Sequence, residues 1–427
     1  MRRIPVSAGA LQWVRYNSNT AQTGDEDVIT PWSVAAKGPK GINYDRVLTT
    51  FKAEPVDESV VAKLRQVLEK QHGKEKPPPL HHFFTRGVVF SHRDFIKALD
   101  DIEENMVPGK HKAFLYTGRG PSSGSMHVGH VIPFLLTKYL QDTFSLPLVI
   151  QITDDEKFLF RDVPFEGPKA DELITSNIKD IIAFGFNPRR TFIFRNSQYM
   201  GEMYPTVLSV QKLLTGNAVK NTFGIADTDS VGKFAFPATQ AAPSFSSSFR
   251  RVLHSAKDEK LRCIIPCAID QDPFFVLTRN VAPRIKAIPP ALLHTKFLPA
   301  LKGLEHKMSS SAEQNGVITL HDTDQQVKKK LRKAFSGGRA TIEEMREKGA
   351  DLETDVAYQF IKFFSPDDAL LEKVTKEYQS GDMNSGTVKD IAAEVVVEHV
   401  MKDWRERRLK VTDEDVQHFT GIRNILL

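Results

Sequence analysis

The chain has 427 residues, 41% of them hydrophobic and 26% charged, a globular balance on a length that suits two or three domains. Mean hydropathy is −0.31, and no stretch approaches the roughly 18–20 apolar residues of a membrane span, which excludes an integral α-helical membrane protein. Against 53 acidic residues stand 58 Lys and Arg, a net charge of +5 that is compatible with a nucleic-acid partner without requiring one.

Two cysteines, Cys263 and Cys267, cannot build a disulfide framework, and a structural zinc site usually needs four ligands. They point to a reducing compartment. Met1–Gly24 contains Arg2, Arg3 and Arg15 and no acid before Asp25. That composition fits a mitochondrial transit peptide and fits a loose polar terminus equally well. Residues 25–110 read as an extension, punctuated at Pro31, Gly38-Pro39 and Gly41. Within it, Val60, Val61, Leu64, Val67 and Leu68 predict a helix over Glu58–Gln71, before Pro77-Pro78-Pro79 breaks the chain. The run Gly87–Phe90 is strand-like, and Ser91…Asp94 is expected to cap the helix that follows.

From about residue 111 the pattern becomes α/β. Strand-like runs at Ala113–Tyr116, Pro147–Ile152, Thr191–Phe194 and Leu261–Pro266 alternate with helical periods, one of which aligns Val131, Ile132, Leu135, Tyr139 and Leu140. This alternation predicts a doubly wound parallel sheet, with ligands beyond the carboxyl ends of its strands. After about residue 320 the strands stop. Asp322…Gln325 is expected to open a helix that places Val327, Leu331, Ala334 and Phe335 on one face and ends at Gly337-Gly338. Thr341…Glu344 resembles a capping box, and further helices are predicted at Val356–Phe364, Asp368–Tyr378 and Thr387–Trp404. The expected division is a leader or tail (1–24), the extension (25–110), an α/β domain (111–320) and an α-helical domain (321–427).

Two motifs carry chemistry. The run YTGRGPSSGSMHVGH (Tyr116–His130) leaves a strand, crosses Gly118, Gly120, Pro121 and Gly124, and enters a helix near Gly129. Such a turn lets backbone N–H groups approach phosphates at a helix N-terminus. His127 and His130 lie three apart and can face one ligand, while Gly129 lets an adenine ring approach the backbone. Alone, the run reads equally as a capped helix start with two polar residues. With no third ligand nearby, a metal reading of the histidines is the weaker one. The second motif, His306–Ser311, follows the last α/β segment. Lys307 and the hydroxyls behind it form a loop suited to gripping pyrophosphate, although alone such a run is usually plain surface.

In this order, H-x-G-H and K-M-S-x-S resemble the signature pair of class I aminoacyl-tRNA synthetases. The blocks FLYTGRGPSSGSMHVGHVIPF, LVIQITDDEKFLF, FPATQAAPSF, IPCAIDQDPFF and AFSGGRATIEE are similar to the tryptophanyl branch of eukaryotic cytosolic type, from about Pro31 to the C-terminus. Two features depart from the pattern. Ser310 stands where the class signature often has lysine, and Met1–Gly24 stands where animal members carry a helix–turn–helix domain.

The resemblance implies a Rossmann-like catalytic domain with a helical anticodon-binding domain, ATP and Mg²⁺ in the reaction, tRNA and tryptophan as partners, and a homodimer. It implies catalytic roles for His127, His130 and Lys307. ATP contacts would fall to Arg119, Ser122, Ser123, Gly129, Lys157, Ser309 and Ser311, and no protein-held metal is implied. The indole N–H would be read by Tyr116 and Gln151, and the α-ammonium by Glu156, Gln240 and Gln271. Without the resemblance, Asp154-Asp155-Glu156 reads as the acidic first turn of a helix and Tyr116 as a buried edge residue. The basic runs Lys328–Lys333 and Arg405–Lys410 are candidate phosphate contacts, each also readable as a solvated helix face. A tyrosyl enzyme shares the H-x-G-H turn, but the blocks around Gln240 and Gln271 favour tryptophan. The implied compartment is the cytoplasm, or the mitochondrial matrix if residues 1–24 act as a transit peptide.

Overall fold

The computed structural model describes residues 27–31, 34–38, 40–73, 77–105, 112–121, 124–161, 163–253, 260–307 and 316–425. The expectation for Met1–Gly24 lies outside them. Among the described residues the strands, in chain order, are β1 (Val28–Ile29), β2 (Val34–Ala35), β3 (Glu54–Pro55), β4 (Val89–Arg93), β5 (Ala113–Arg119), β6 (Leu148–Ile152), β7 (Thr191–Arg195), β8 (Arg262–Ala268), β9 (Ala291–Thr295), β10 (Pro299–Ala300) and β11 (Gly303–Lys307). The main sheet has the order β3-β4-β9-β8-β5-β6-β7. From β9 to β7 every pairing is parallel. The chain steps outward from β5 through β6 to β7, then returns on the other side of β5 with β8 and β9. That reversal leaves a crevice at the carboxyl ends of β5 and β8.

The sheet is mostly parallel, as the alternation predicts, with an antiparallel edge that the sequence reading did not include. β4 joins β9 antiparallel and β3 joins β4 antiparallel, so residues 25–110 complete the sheet rather than only leaning on it. Ser91 belongs to β4, and Asp94, at the N-cap position of the next helix, Phe95–Glu104, makes no side-chain cap bond to it. Ser91 Oγ is 2.9 Å from His294 Nδ1, Asp94 turns to Arg279, and the His92 ring accepts from the Phe95 N–H at 3.4 Å.

Period-two alternation sorts the strands into two faces. Leu115, Leu148, Ile150, Ile193, Ile264 and Leu293 bury one face against helices Phe95–Glu104, Val128–Phe144 and Pro168–Ile182. Phe114, Tyr116, Val149, Phe192, Phe194, Cys263 and Ile265 bury the other against helices Asn196–Gln211 and Val231–Ala241. The first cluster is continuous from Val60 to Phe419. Trp404 anchors the C-terminal helices to it, 2% exposed, with its indole N–H donated to the Asp180 carbonyl at 2.9 Å. A buried Trp needs such a partner.

Helix Val356–Phe364 falls where the apolar period placed it. The earlier helix is Asp324–Arg332, capped by Thr323 and Gln326 instead of Asp322 and Gln325. It ends before Phe335, which is 49% exposed and off the buried face. Thr341 accepts from the Glu344 N–H as expected. The segment Thr387–Trp404 is not one α-helix: Ser385–Val396 and Asp403–Lys410 flank a π-helical stretch, Val397–Lys402. Helix Asp413–Thr420 has no counterpart among the predicted elements.

Much of both basic runs is consumed within the chain. Lys330 pairs with Asp322, Arg332 with Asp390, Arg405 with Asp324 and Arg408 with Asp180, while Arg407 donates to the Ala183 carbonyl.

Candidate active site

A cavity of about 310 Å³ opens at the crevice between β5 and β8. Residues Tyr116–Gly120 at the end of β5 form one wall, the start of helix Val128–Phe144 a second, and Ile265–Ala268 at the end of β8 with Asp270 a third. Pro31, next to β1, and Lys296–Leu298, after β9, close the rim.

His127 is the N-cap of helix Val128–Phe144, and its ring stacks on that of His130 with centroids 3.6 Å apart and planes at 25°. Helical geometry brings positions three apart onto one face, and both rings line the cavity with Gly129 between them in sequence. The second motif is tied to the same place. β11 ends at Lys307, and the chain that returns after it forms a bridge from Thr319 to His127 and donates from Leu320 N–H to the Met126 carbonyl at 2.9 Å. The two motifs are thus joined through the backbone at Thr319 and Leu320. β11 also pairs with β2, His306 opposite Ala35, so the N-terminal hairpin steadies the strand that delivers Lys307.

Tyr116 sits at the base of the cavity in a chain of oriented hydrogen bonds. Its hydroxyl donates to Gln151 Oε1 at 2.5 Å and accepts from Gln240 Nε2 at 3.0 Å. Gln151 Nε2 donates to Asn196 Oδ1, and Asn196 Nδ2 to Asp155 Oδ1, both at 2.8 Å. The strand register explains the first link. Gly118 is opposite Gln151, and a Cβ there would come within 3.3 Å of the Gln151 Cβ, so glycine leaves Gln151 room to reach Tyr116. Burial, and then the adjacent Asp154 charge, push the Asp155 carboxyl up to about 6 despite its bond from Asn196. Burial also raises the Tyr116 phenol, which keeps its proton. Phe275 meets the Tyr116 ring edge-on at 6.1 Å.

Gln151 is fully buried and does not line the cavity. It stands behind Tyr116, whose hydroxyl hydrogen its Oε1 accepts. Glu156 accepts from Thr153 on one oxygen and from Lys157 on the other, both at 2.7 Å. Gly120 makes room for this pair, since a Cβ there would lie 2.1 Å from Lys157 Cε. Arg119 is buried, its Nε donating to Asn177 Oδ1 at 2.5 Å, while Nη2 has no partner among the described residues. Burial draws its guanidinium down to about 10, still charged at neutral pH. Gln240 and Gln271 line the cavity. Ser122, Ser123, Ser309, Ser311 and the side chain of Lys307 lie outside the described residues.

Asn196 and Asp155 were missed as contributors. Asn196 opens a helix at the carboxyl end of β7, the edge where this fold gathers ligands, so its position carried a signal that residue type alone did not. Cys267 lines the cavity, and burial raises both thiols well above their ordinary value, which removes them as nucleophiles.

The model of the class I tRNA synthetases of the W and Y type matches residues 109–401. The chain belongs to that family. As a synthetase it is 46% identical over 409 residues to the cytoplasmic tryptophan–tRNA ligase of Homo sapiens, covering 95% of this chain and 83% of that protein. The corresponding ligase of Dictyostelium discoideum is 43% identical, with 95% and 98% covered. The crystal structure of Plasmodium falciparum tryptophanyl-tRNA synthetase superposes with a TM-score of 0.78 at 39% identity, covering 89% of this synthetase and 95% of its own chain. The Encephalitozoon cuniculi enzyme bound to tryptophan gives 0.79 at 38% identity, with 90% and 99% covered. The cavity of this synthetase therefore combines an apolar, hydrogen-bond-selective base with a rim of His127, His130, Arg119 and Lys157, a donor set suited to phosphate oxygens.

Proposed function

We propose that this synthetase activates tryptophan with ATP and transfers it to the 3′ end of a tryptophan tRNA. The observation that carries the reading is the oriented chain ending at Tyr116. The phenol hydrogen is committed to Gln151 and one oxygen lone pair to Gln240, leaving one acceptor lone pair for a buried N–H. The indole N–H is a donor only and needs such an acceptor. Phe236, Phe274 and Phe275 supply the apolar walls.

In activation, a carboxylate oxygen of the amino acid attacks the α-phosphorus of ATP and the bond to pyrophosphate breaks. No covalent enzyme intermediate is required, because placement and charge stabilisation lower this barrier. His127, His130, Arg119 and Lys157 meet the phosphates, and Lys307 follows the leaving pyrophosphate, with Ser122, Ser123, Ser309 and Ser311 as further donors. The α-ammonium is read by Glu156, Gln240 and Gln271. Among the described residues no cluster of three His, Cys, Asp or Glu side chains is placed to hold a metal ion. The donors at the rim suit phosphate, so Mg²⁺ would ride on ATP and neutralise phosphate charge there. The helices of 321–427 read the anticodon, and the working unit is a homodimer. The cytoplasm is the proposed compartment, with the mitochondrial matrix the alternative if residues 1–24 direct import.

Charging of a tRNA pool with labelled tryptophan tests the reading: ATP-dependent incorporation supports it, and folded protein that charges no tRNA with tryptophan contradicts it. At the indole, Tyr116→Phe is expected to raise the barrier for tryptophan by about 1–3 kcal/mol, the cost of an unmade buried hydrogen bond. A benzothiophene analogue, with sulfur in place of the ring N–H, should lose less. The tryptophan-to-analogue ratio of kcat/KM should therefore fall in the variant. Equal losses for both substrates would show that Tyr116 serves only to shape the pocket.

A further inference from the structure

A second cavity, of about 280 Å³, lies where residues 34–44, the end of β9, the β10–β11 hairpin and helix Val356–Phe364 meet. Its charged lining is Lys40, Arg86, Lys296 and Lys362 against Glu305 and Glu353. Two of these cations are already matched. Arg86 donates to Asp368 and to the carbonyls of Lys362 and Ser365, and Lys40 lies 3.6 Å from Glu353 at the exposed rim.

Lys296 and Lys362 are different. Both are half-buried, and among the described residues no carboxylate pairs with either ammonium. Lys296 Nζ lies 5.1 Å above the Tyr44 ring and 4.0 Å from where a Cβ on Gly87 would be. Burial works against the charged form of each lysine. The nearby positive charges add to that, Lys362 acting on Lys296 and Arg86 on Lys362, while Asp45 and Glu353 offset them in part. Two half-buried ammonium groups in one crevice, offset only in part by Asp45 and Glu353, cost stability unless something anionic completes the set.

We propose that this second cavity is an anion site for a phosphoryl group, gripped by Lys296 from the end of β9 and by Lys362 from helix Val356–Phe364. Ammonium groups act there as point-charge donors to a compact anion such as inorganic phosphate or pyrophosphate. Lys296 and Phe297 also line the first cavity, so the two volumes share a wall, yet the site stands on its own residues and not on the reaction proposed above.

The test follows the unfolding temperature of the full chain, with the first cavity saturated by a non-hydrolysable tryptophanyl-adenylate analogue. Inorganic phosphate or pyrophosphate is titrated in at constant ionic strength. The unfolding temperature should rise saturably, and the anion that saturates at lower concentration is the ligand source. Lys362→Met should weaken the apparent dissociation constant about tenfold, the scale of one charge-assisted bond. Lys296→Met/Lys362→Met should lose the saturable rise altogether, while its anion-free unfolding temperature stays level or increases. If the double variant fails to fold, Lys362→Gln alone should still show the weakened binding. An equal response in the original chain and the variants reflects only the general stabilising effect of phosphate salts and overturns the site, as does a response no greater than that to chloride. If the adenylate analogue itself fails to stabilise the chain, the proposed reaction is in doubt, whereas the difference between the chain and its lysine variants still decides this site.

Discussion

Alanine in place of Lys307 is expected to slow tryptophan-dependent ATP–pyrophosphate exchange by roughly 10²–10³-fold, the scale for losing one donor aimed at developing charge. The backbone gives the reason for so large an effect. Lys307 is the last residue of β11, opposite Pro299 of β10, with His306 opposite Ala35 of β2. The chain returns from the loop to bridge His127. A lysine at the end of a strand held between β10 and β2, on a loop whose return bridges His127, is expected to follow pyrophosphate as it leaves without reorganising the fold. Tryptophan binding measured without ATP should hardly change. Full exchange activity in the variant would remove this loop from the chemistry.

Asp272→Asn is expected to destabilise the chain by about 3–5 kcal/mol, the cost of leaving one member of a buried ion pair uncompensated. Asp272 is fully buried at the start of helix Asp272–Val281, and Arg93 of β4 grips it with two bonds of 2.7 and 2.8 Å. His294 of β9 approaches at 3.1 Å. Burial alone would raise this carboxyl, but Arg93 and His294 outweigh it and hold it at about 2, against an ordinary value of 3.8. A lowered folded-state value contributes stability that is complete above about pH 4 and is lost as the pH falls toward 2. Urea unfolding should show a gap between the chain and its variant that is constant near neutral pH. The gap should narrow by about 2 kcal/mol in acid. A gap that ignores acid would mean the carboxylate charge is not what Arg93 needs. Gln271 precedes this carboxylate and lines the active-site cavity, so the variant should also bind tryptophan more weakly.

Four of the five parallel strands were legible because they are apolar on both faces and bounded by helices of clear period, while β9 was not among the predicted runs. Ala113–Tyr116 and Thr191–Phe194 lie inside β5 and β7 for that reason. Of the antiparallel edge only the start of β4 was legible, in Gly87–Phe90; its pairing and β3 were not. β3 is two residues long, and β4 contains His92 and Arg93, whose polar side chains are accounted for only once Asp272 and the Asp94 turn are packed beside them. Phe335 followed the period of its helix on paper, but the helix ends at Arg332 and the period ends with it. At the site, the two signature motifs announced His127 and His130 through residue type and spacing. The chain from Tyr116 to Asp155 could not be read that way, because it joins residues from β5, β6 and the starts of two helices. The same holds for Lys296 and Lys362, which are far apart in sequence and share a crevice only after folding.

The most direct measurement is amino-acid-dependent ATP–pyrophosphate exchange with tryptophan and tyrosine side by side. The phenol of tyrosine could donate to the same Tyr116 lone pair, so the comparison turns on the whole pocket and not on one bond. Exchange that depends on tryptophan, with tyrosine giving little above the rate without amino acid, is the expected result. Exchange that tyrosine supports as well as or better than tryptophan would contradict the reading of the pocket, and no exchange with either would contradict the activation step itself.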